Sequence, residues 1–277
     1  MKPGLMVLNV FLGLALLAGC ATPVLEIEDV EDRHREAAVV ALEREEIAVA
    51  RDTRQEEMSA VVDRVLPRVR NSAHAVCREL GRPQANCNLM LTATVHVFPD
   101  EPEINAFADQ NNDIGIYGGL IANAGSDEEI AAVLSHEFAH VMYDHVSLKM
   151  TNAVIGMLVA GGLALAATGD SHSPADQQAV QGMMEFGAAV GATAYSPEME
   201  LEADRTAVYI LAGAGYDTDS MKDIIVRMHR LDARQRSGAS AQTVGFLQTH
   251  PSDNRRVAHI ISSIEDANSG VPLVVAE

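Results

Sequence analysis

The chain has 277 residues, a net charge of −19 and an isoelectric point near 4.8. That acidity excludes a nucleic-acid partner, whose phosphates demand a basic face; no Lys/Arg-rich run with interleaved aromatics and no glycine-rich phosphate loop occurs either. Hydrophobic residues make up 48% of the chain but aromatics only 4%, without tryptophan, so alanine, valine and leucine must fill a core of closely packed helices.

The first twenty residues read as an export signal. Lys2 is a short basic start, Leu5 to Leu17 is an apolar core too short to span a bilayer, and Leu17-Ala18-Gly19-Cys20 is a lipobox. Residues 1–19 are expected to be a removed signal peptide, Cys20 the lipidated residue and 20–30 a tether. An uncleaved anchor or an ordinary signal peptide is the alternative. Ala21, rather than aspartate, is similar to outer-membrane sorting in Gram-negative bacteria, which would place the rest in the periplasm, joined to the membrane by lipid.

Residues 31–277 are expected to form one domain. Residues 31–66 are charged and helical by propensity, with Pro67 a break or kink. Val61, Val62, Val65, Leu66 and Val69 form a buried stripe there. An oxidising compartment and a lipidated Cys20 leave Cys77 and Cys87, which are expected to form one disulfide; two buried free thiols are the alternative. Leu91 to Phe98 is strand-like and ended by Pro99; Ile114 to Tyr117 is a second strand. The edge of this small sheet could take an extended peptide by strand addition. His96 reads as structural.

Ser126-Asp127-Glu128-Glu129 is a capping box that opens a helix carrying Ile130, Val133, Leu134, Phe138, Val141 and Met142. His136-Glu137-Phe138-Ala139-His140 lies on it. Histidines at i and i+4 share one helix face and can reach one Zn²⁺, with Glu137 at the flank as general base. Tyr143 and Val146 stand where a metzincin needs glycine and histidine. His145 lies round the helix from the metal face, either exposed or satisfied in the core.

Ala153 to Ala167 is apolar but short of a membrane span. It is expected to form a helical hairpin with Ala179 to Tyr195, and Thr168 to Gln178 between them is a candidate lid. Glu198 to Leu211 is a further helix, opened by Ser196-Pro197. Glu200 is assigned as third metal ligand, with Glu198 and Glu202 as rivals. Asp204, one turn on, would accept the far N–H of a ligand histidine. Residues 217–236 and 252–266 read as closing helices, and no tetratricopeptide array follows residue 265.

His136 to His140 followed by Glu200-Leu201-Glu202-Ala203-Asp204-Arg205 resembles the HtpX and CAAX-prenyl-protease metallopeptidase family. Asn105-Ala106-Phe107-Ala108, Gly119-Leu120-Ile121 and Thr249-His250-Pro251 with Arg256 resemble three further family segments. Asp109-Gln110-Asn111-Asn112-Asp113 departs from the family's Pro-Gly-Gly-like turn, leaving that loop's shape open. The resemblance covers about residues 60 to 265 and implies a gluzincin fold: α+β, mainly helical, with a small sheet beside the HExxH helix. It also implies one Zn²⁺ per chain. His250 and Arg256 become candidates for stabilising the oxyanion, with His250 alternatively closing the open metal position in a latent state. A helix-capping histidine and a surface ion pair are the plainer readings of these two.

The expected function is a zinc endopeptidase of the cell envelope. Its resemblance to periplasmic members implies unfolded or misassembled envelope proteins as substrates. A chaperone or binding protein on the same fold, and a zinc hydrolase of cell-wall peptides or lipid, are the rival readings.

Overall fold

A computed structural model describes residues 24–25, 27, 29–43, 55–168, 173–192 and 195–275. Cys20, the signal peptide and residues 169–172 of the expected lid lie outside them. The chain is mainly helical with one small sheet, and it divides into two compact units. The larger comprises Val24–Ser147 and Thr193–Glu277; the described parts of the other are residues 148–168 and 173–192.

In the larger unit, α1 (Asp32–Glu43) and α2 (Gln55–Glu79) lead to α3 (Gln84–Thr92). Helix α2 runs through Pro67 rather than breaking there. Pro67 faces solvent, while Val61, Val62, Val65 and Val69 on the opposite side are all buried. Burying that stripe, at roughly 1.5–3 kcal/mol per side chain, outweighs the roughly 3 kcal/mol cost of an internal proline. The Cys77–Cys87 disulfide is formed and joins the end of α2 to α3. Reducing it reopens a loop of 10 residues. We expect a stability loss of about 3 kcal/mol, read as a lower denaturation midpoint in reductant; a midpoint unchanged by full reduction would contradict this.

The strand expected over Leu91 to Phe98 is shorter than its alternating pattern suggested. Residues up to Thr92 belong to α3, and only Val95–Phe98 is strand β1. The reason is long-range: Arg70 on α2 donates to the carbonyls of Met90 and Ala93, which holds the helix end, and Met90 is fully buried. Strand β2 (Ala106–Ala108) lies within the Asn-Ala-Phe-Ala segment, and β3 is Ile114–Tyr117. The order is β1-β3-β2, with β1–β3 parallel and β2–β3 antiparallel, so β2 is an edge. Short helix α4 (Gly118–Asn123) follows at once. A Cβ at Gly118 would meet the Pro99 carbonyl at 2.4 Å, and one at Gly119 the Pro102 carbonyl at 2.1 Å, so this turn requires glycine.

Helix α5 (Asp127–Met142) is the centre of the core and is buried from Glu129 onward. Ser126 caps it by accepting from the Glu129 N–H at 3.0 Å. Glu129 does not complete an ordinary capping box. Its carboxylate accepts from the Gly125 amide at 2.8 Å and forms a forked, buried pair with Arg227. Helix α8 (Pro197–Ala214) packs on α5, as does α2. It starts at Pro197 with Ser196 as cap and ends at Gly215, whose φ of 68° is left-handed. Helices α9 (Asp219–Arg236), α10 (Phe246–Thr249) and α11 (Asn254–Asn268) close the unit.

Helix α6 (His145–Thr168) starts in the larger unit and runs into the smaller one, whose second helix is α7 (Pro174–Ala192). The helix is longer than the expected Ala153 to Ala167, because the mostly polar residues before that apolar segment continue it. His145–Ala167 is long and apolar enough to cross a membrane, by length and composition. The two helices meet closely at Gly161, where a Cβ would lie 2.6 Å from Met184. Residues 174–178 of the expected lid are helical. Tyr195, expected in the hairpin, belongs to the larger unit.

Candidate active site

The α5 geometry delivers what the i, i+4 spacing implied. His136 and His140 turn their Nε2 atoms toward one point, 3.0 Å apart, and both side chains are fully buried. Glu200 arrives from the crossing helix α8. Its Oε1 lies 3.4 Å from His140 Nε2, and its Oε2 3.5 Å from His136 Nε2. A fourth donor comes from the end of α10: His250 Nδ1 is 3.2 Å from His136 Nε2 and 3.0 Å from Glu200 Oε1. Four donors with bonds of about 2.0–2.1 Å to a tetrahedral cation stand about 3.3–3.4 Å apart. Three nitrogens and one carboxylate at these spacings therefore fit a divalent metal and suit zinc's preferences. Among the described residues, His136, His140, Glu200 and His250 are the cluster that could hold such an ion.

Glu137 sits beside this cluster. It is fully buried, the Ala108 backbone N–H lies toward its carboxylate, and His250 Nε2 is 3.6 Å from Oε1. Burial pushes its carboxyl above the usual range, opposed by His250 and His136. A buried carboxyl beside the cluster, raised in this way, is suited to taking a proton and returning it.

Asp204, one turn along α8 from Glu200, reaches His136 from behind, with Oδ1 2.9 Å from Nδ1. Arg256 braces both acids. Its Nε and Nη2 donate to Asp204 at 2.6 and 2.9 Å, and its Nη1 is 2.7 Å from Glu200 Oε2 and donates to the His250 carbonyl at 2.9 Å. Burial pushes Glu200 up, but Arg256, His250 and the two α5 histidines outweigh it and hold the carboxyl well below the usual range. For His136, burial works against the charged form, yet Asp204 and Glu200 raise it to about 9. The acids thus create a wall that favours positive charge. Arg256 is not in a surface ion pair: it is buried, and its donors go to Asp204, Glu200 and the His250 carbonyl.

Three participants carried no usable sequence signal. The Tyr195 ring stacks on His140 at 3.9 Å, and the Phe246 ring stacks on His250 at 4.4 Å. Tyr195 is also tied to the Thr-His-Pro segment through its amide, which donates to the Thr249 carbonyl. His145 is buried, not exposed, and pairs with Glu202, which faces away from the cluster. His250 is no plain helix cap either: Asp253 caps α11, accepting from the Arg256 amide.

An HExxH helix crossed by a second helix that supplies a glutamate is the architecture of zincin metallopeptidases, and the chain is a hydrolase of that class. It matches Peptidase family M48 over residues 67–264 and belongs to that family. The mitochondrial metalloendopeptidase OMA1 of Schizosaccharomyces pombe is 28% identical, over 79% of this chain and 61% of its own length. The putative beta-barrel assembly-enhancing protease of Vibrio cholerae is 31% identical, over 69% of this chain and 38% of its own. The beta-barrel assembly-enhancing protease of Escherichia coli O157:H7 is 28% identical, over 62% and 34%. The chain thus spans between 34% and 61% of the length of these relatives.

Proposed function

We propose that the protein is a zinc-dependent endopeptidase of the bacterial cell envelope that cleaves unfolded or misassembled envelope proteins. In this reading Cys20 carries the lipid, residues 20–30 are the tether to the outer membrane, and the peptidase domain over 31–277 faces the periplasm. The observation that carries the chemistry is the cluster of four buried donors within 4.8 Å of one another, with the buried Glu137 carboxylate beside it. The lipobox and the names of the bacterial relatives support the compartment and the substrate class.

His136, His140 and Glu200 would hold the ion. Zinc in such a site supplies Lewis acidity, polarising a peptide carbonyl and acidifying water. Glu137 then accepts the proton from the attacking water and delivers it to the leaving amine. The free edge of β2, beside Glu137, would hold an extended substrate by strand addition; helix α5 packs on that strand. Asp204 fixes the His136 ring, and Arg256 fixes both acids. His250 lies where a substrate carbonyl must come, so in this conformation it closes the site. It must swing aside for catalysis, and from there it could steady the oxyanion. Such a closed site also favours the second reading, a periplasmic chaperone or binding protein with latent proteolysis.

The test is metal content and cleavage together. The mature protein should hold one zinc per chain and cut a permanently unfolded protein faster than its folded form. Equal rates on both would remove the quality-control reading. Intact mass should show the loss of residues 1–19 and a lipid on Cys20; a free Cys20 thiol would remove the anchor.

A further inference from the structure

Behind His140 runs a line of hydrogen bonds that leads away from the metal site. His140 Nδ1 is 2.9 Å from His145 Nδ1, and His145 Nε2 is 3.0 Å from Glu202 Oε2. The other oxygen of Glu202 accepts from the Leu25 amide at 2.7 Å. All four residues are buried, none more than 2% exposed. The Tyr143 ring stacks against His145 at 5.5 Å and limits its tilt.

The donor direction along this line follows from chemistry. A neutral imidazole that offers Nε2 to a metal carries its one proton on Nδ1. The Nδ1 of His140 must therefore donate, so His145 Nδ1 must accept. The proton of His145 then stands on Nε2, facing a carboxylate oxygen that can only accept. The second Glu202 oxygen takes the Leu25 N–H. Every proton has one place and no two donors meet.

We propose that His145 and Glu202 are positioning residues that hold His140 in the tautomer and orientation a metal ion needs, with the Leu25 amide completing the line. This rests on the metallopeptidase reading above. The two α5 histidines are then supported differently. His136 has a carboxylate, Asp204, directly behind it, whereas His140 reaches its carboxylate through a second imidazole. The consequence is that the N-terminal segment, seated by the buried Leu25 and its pairing with Val275, helps to shape the metal site only five residues beyond Cys20.

The experiment measures the zinc dissociation constant of the full mature chain by chelator competition, alongside thermal unfolding of the metal-free form. His145→Leu removes the acceptor and should weaken zinc about ten- to hundredfold. His145→Asn keeps an acceptor near the Nδ1 place and should recover to within about tenfold of wild type. Glu202→Gln sets an amide against the Leu25 N–H or the His145 N–H and should weaken zinc by about tenfold. A purely structural role would lower the unfolding temperature of the metal-free form and leave the zinc constant alone. Wild-type zinc binding in His145→Leu overturns the proposal. If that variant does not fold, unchanged zinc binding in both His145→Asn and Glu202→Gln overturns it. A wild-type protein that takes up no zinc overturns the metallopeptidase reading and this proposal with it, whereas zinc in wild type with unaffected variants overturns the positioning alone.

Discussion

Replacing Glu137 by glutamine is expected to lower peptide cleavage by about 10²–10⁴-fold while leaving metal content unchanged. Glutamine has nearly the shape of glutamate but cannot take a proton. Glu137 is no ligand in the cluster, since the four donors converge without it. The substitution should not destabilise the fold. Burial disfavours the charged carboxylate more than His250, His136 and the Ala108 amide favour it, so a neutral amide removes a desolvated charge. The unfolding temperature of Glu137→Gln should therefore equal or exceed that of wild type. Kinetics on an unfolded substrate, metal analysis and thermal denaturation read the three quantities on one sample. Cleavage within tenfold of wild type would remove Glu137 as the base. Loss of metal would instead make it part of the ion's support.

Arg256→Met is expected to cost about 3–5 kcal/mol of stability, more in chelator than with metal bound. The guanidinium is 3% exposed and compensates two buried carboxylates, Asp204 and Glu200. Without it both acids keep their burial and lose their main counter-charge. A bound divalent ion would restore part of that compensation, so the gap between metal-bound and metal-free stability should widen in the variant. Arg256→Lys should rescue little, because one ammonium cannot reproduce the fork on Asp204 and also reach the His250 carbonyl. Denaturant titrations with and without chelator decide it; a loss under about 1 kcal/mol in the metal-free protein would mean that the pair is solvent-compensated.

Short-range patterns survived folding. The capping serine, the i, i+4 histidines, the Ile114 to Tyr117 strand and the Ser196-Pro197 helix start all depend on neighbours a turn away, and all are in place. The readings that failed were those in which a distant residue decided the outcome. Alternation over Leu91 to Thr94 lost to a helix end held by Arg70. Pro67 did not break α2, because the buried stripe runs on either side of it. Glu129 opens a capping box by sequence, yet its carboxylate serves Arg227, 98 residues away.

The site divides in the same way. Sequence by itself pointed to a metal site, since the 100° turn per residue sets His136 and His140 on one helix face with Glu137 at its flank. It also marked Glu200 and Asp204 as one face of a second helix. Only the tertiary structure decided that His250 stands among the donors, that Arg256 lies behind the acids, and that Tyr195 and His145 pack on His140 with Glu202 behind His145. Apart from His145, five residues after His140, these side chains come from segments far from α5 in the chain, and periodicity is silent about which of them meet. Their places follow from how α5, α8 and the Thr249-His250-Pro251 turn pack against one another, and burial makes each polar contact there compulsory.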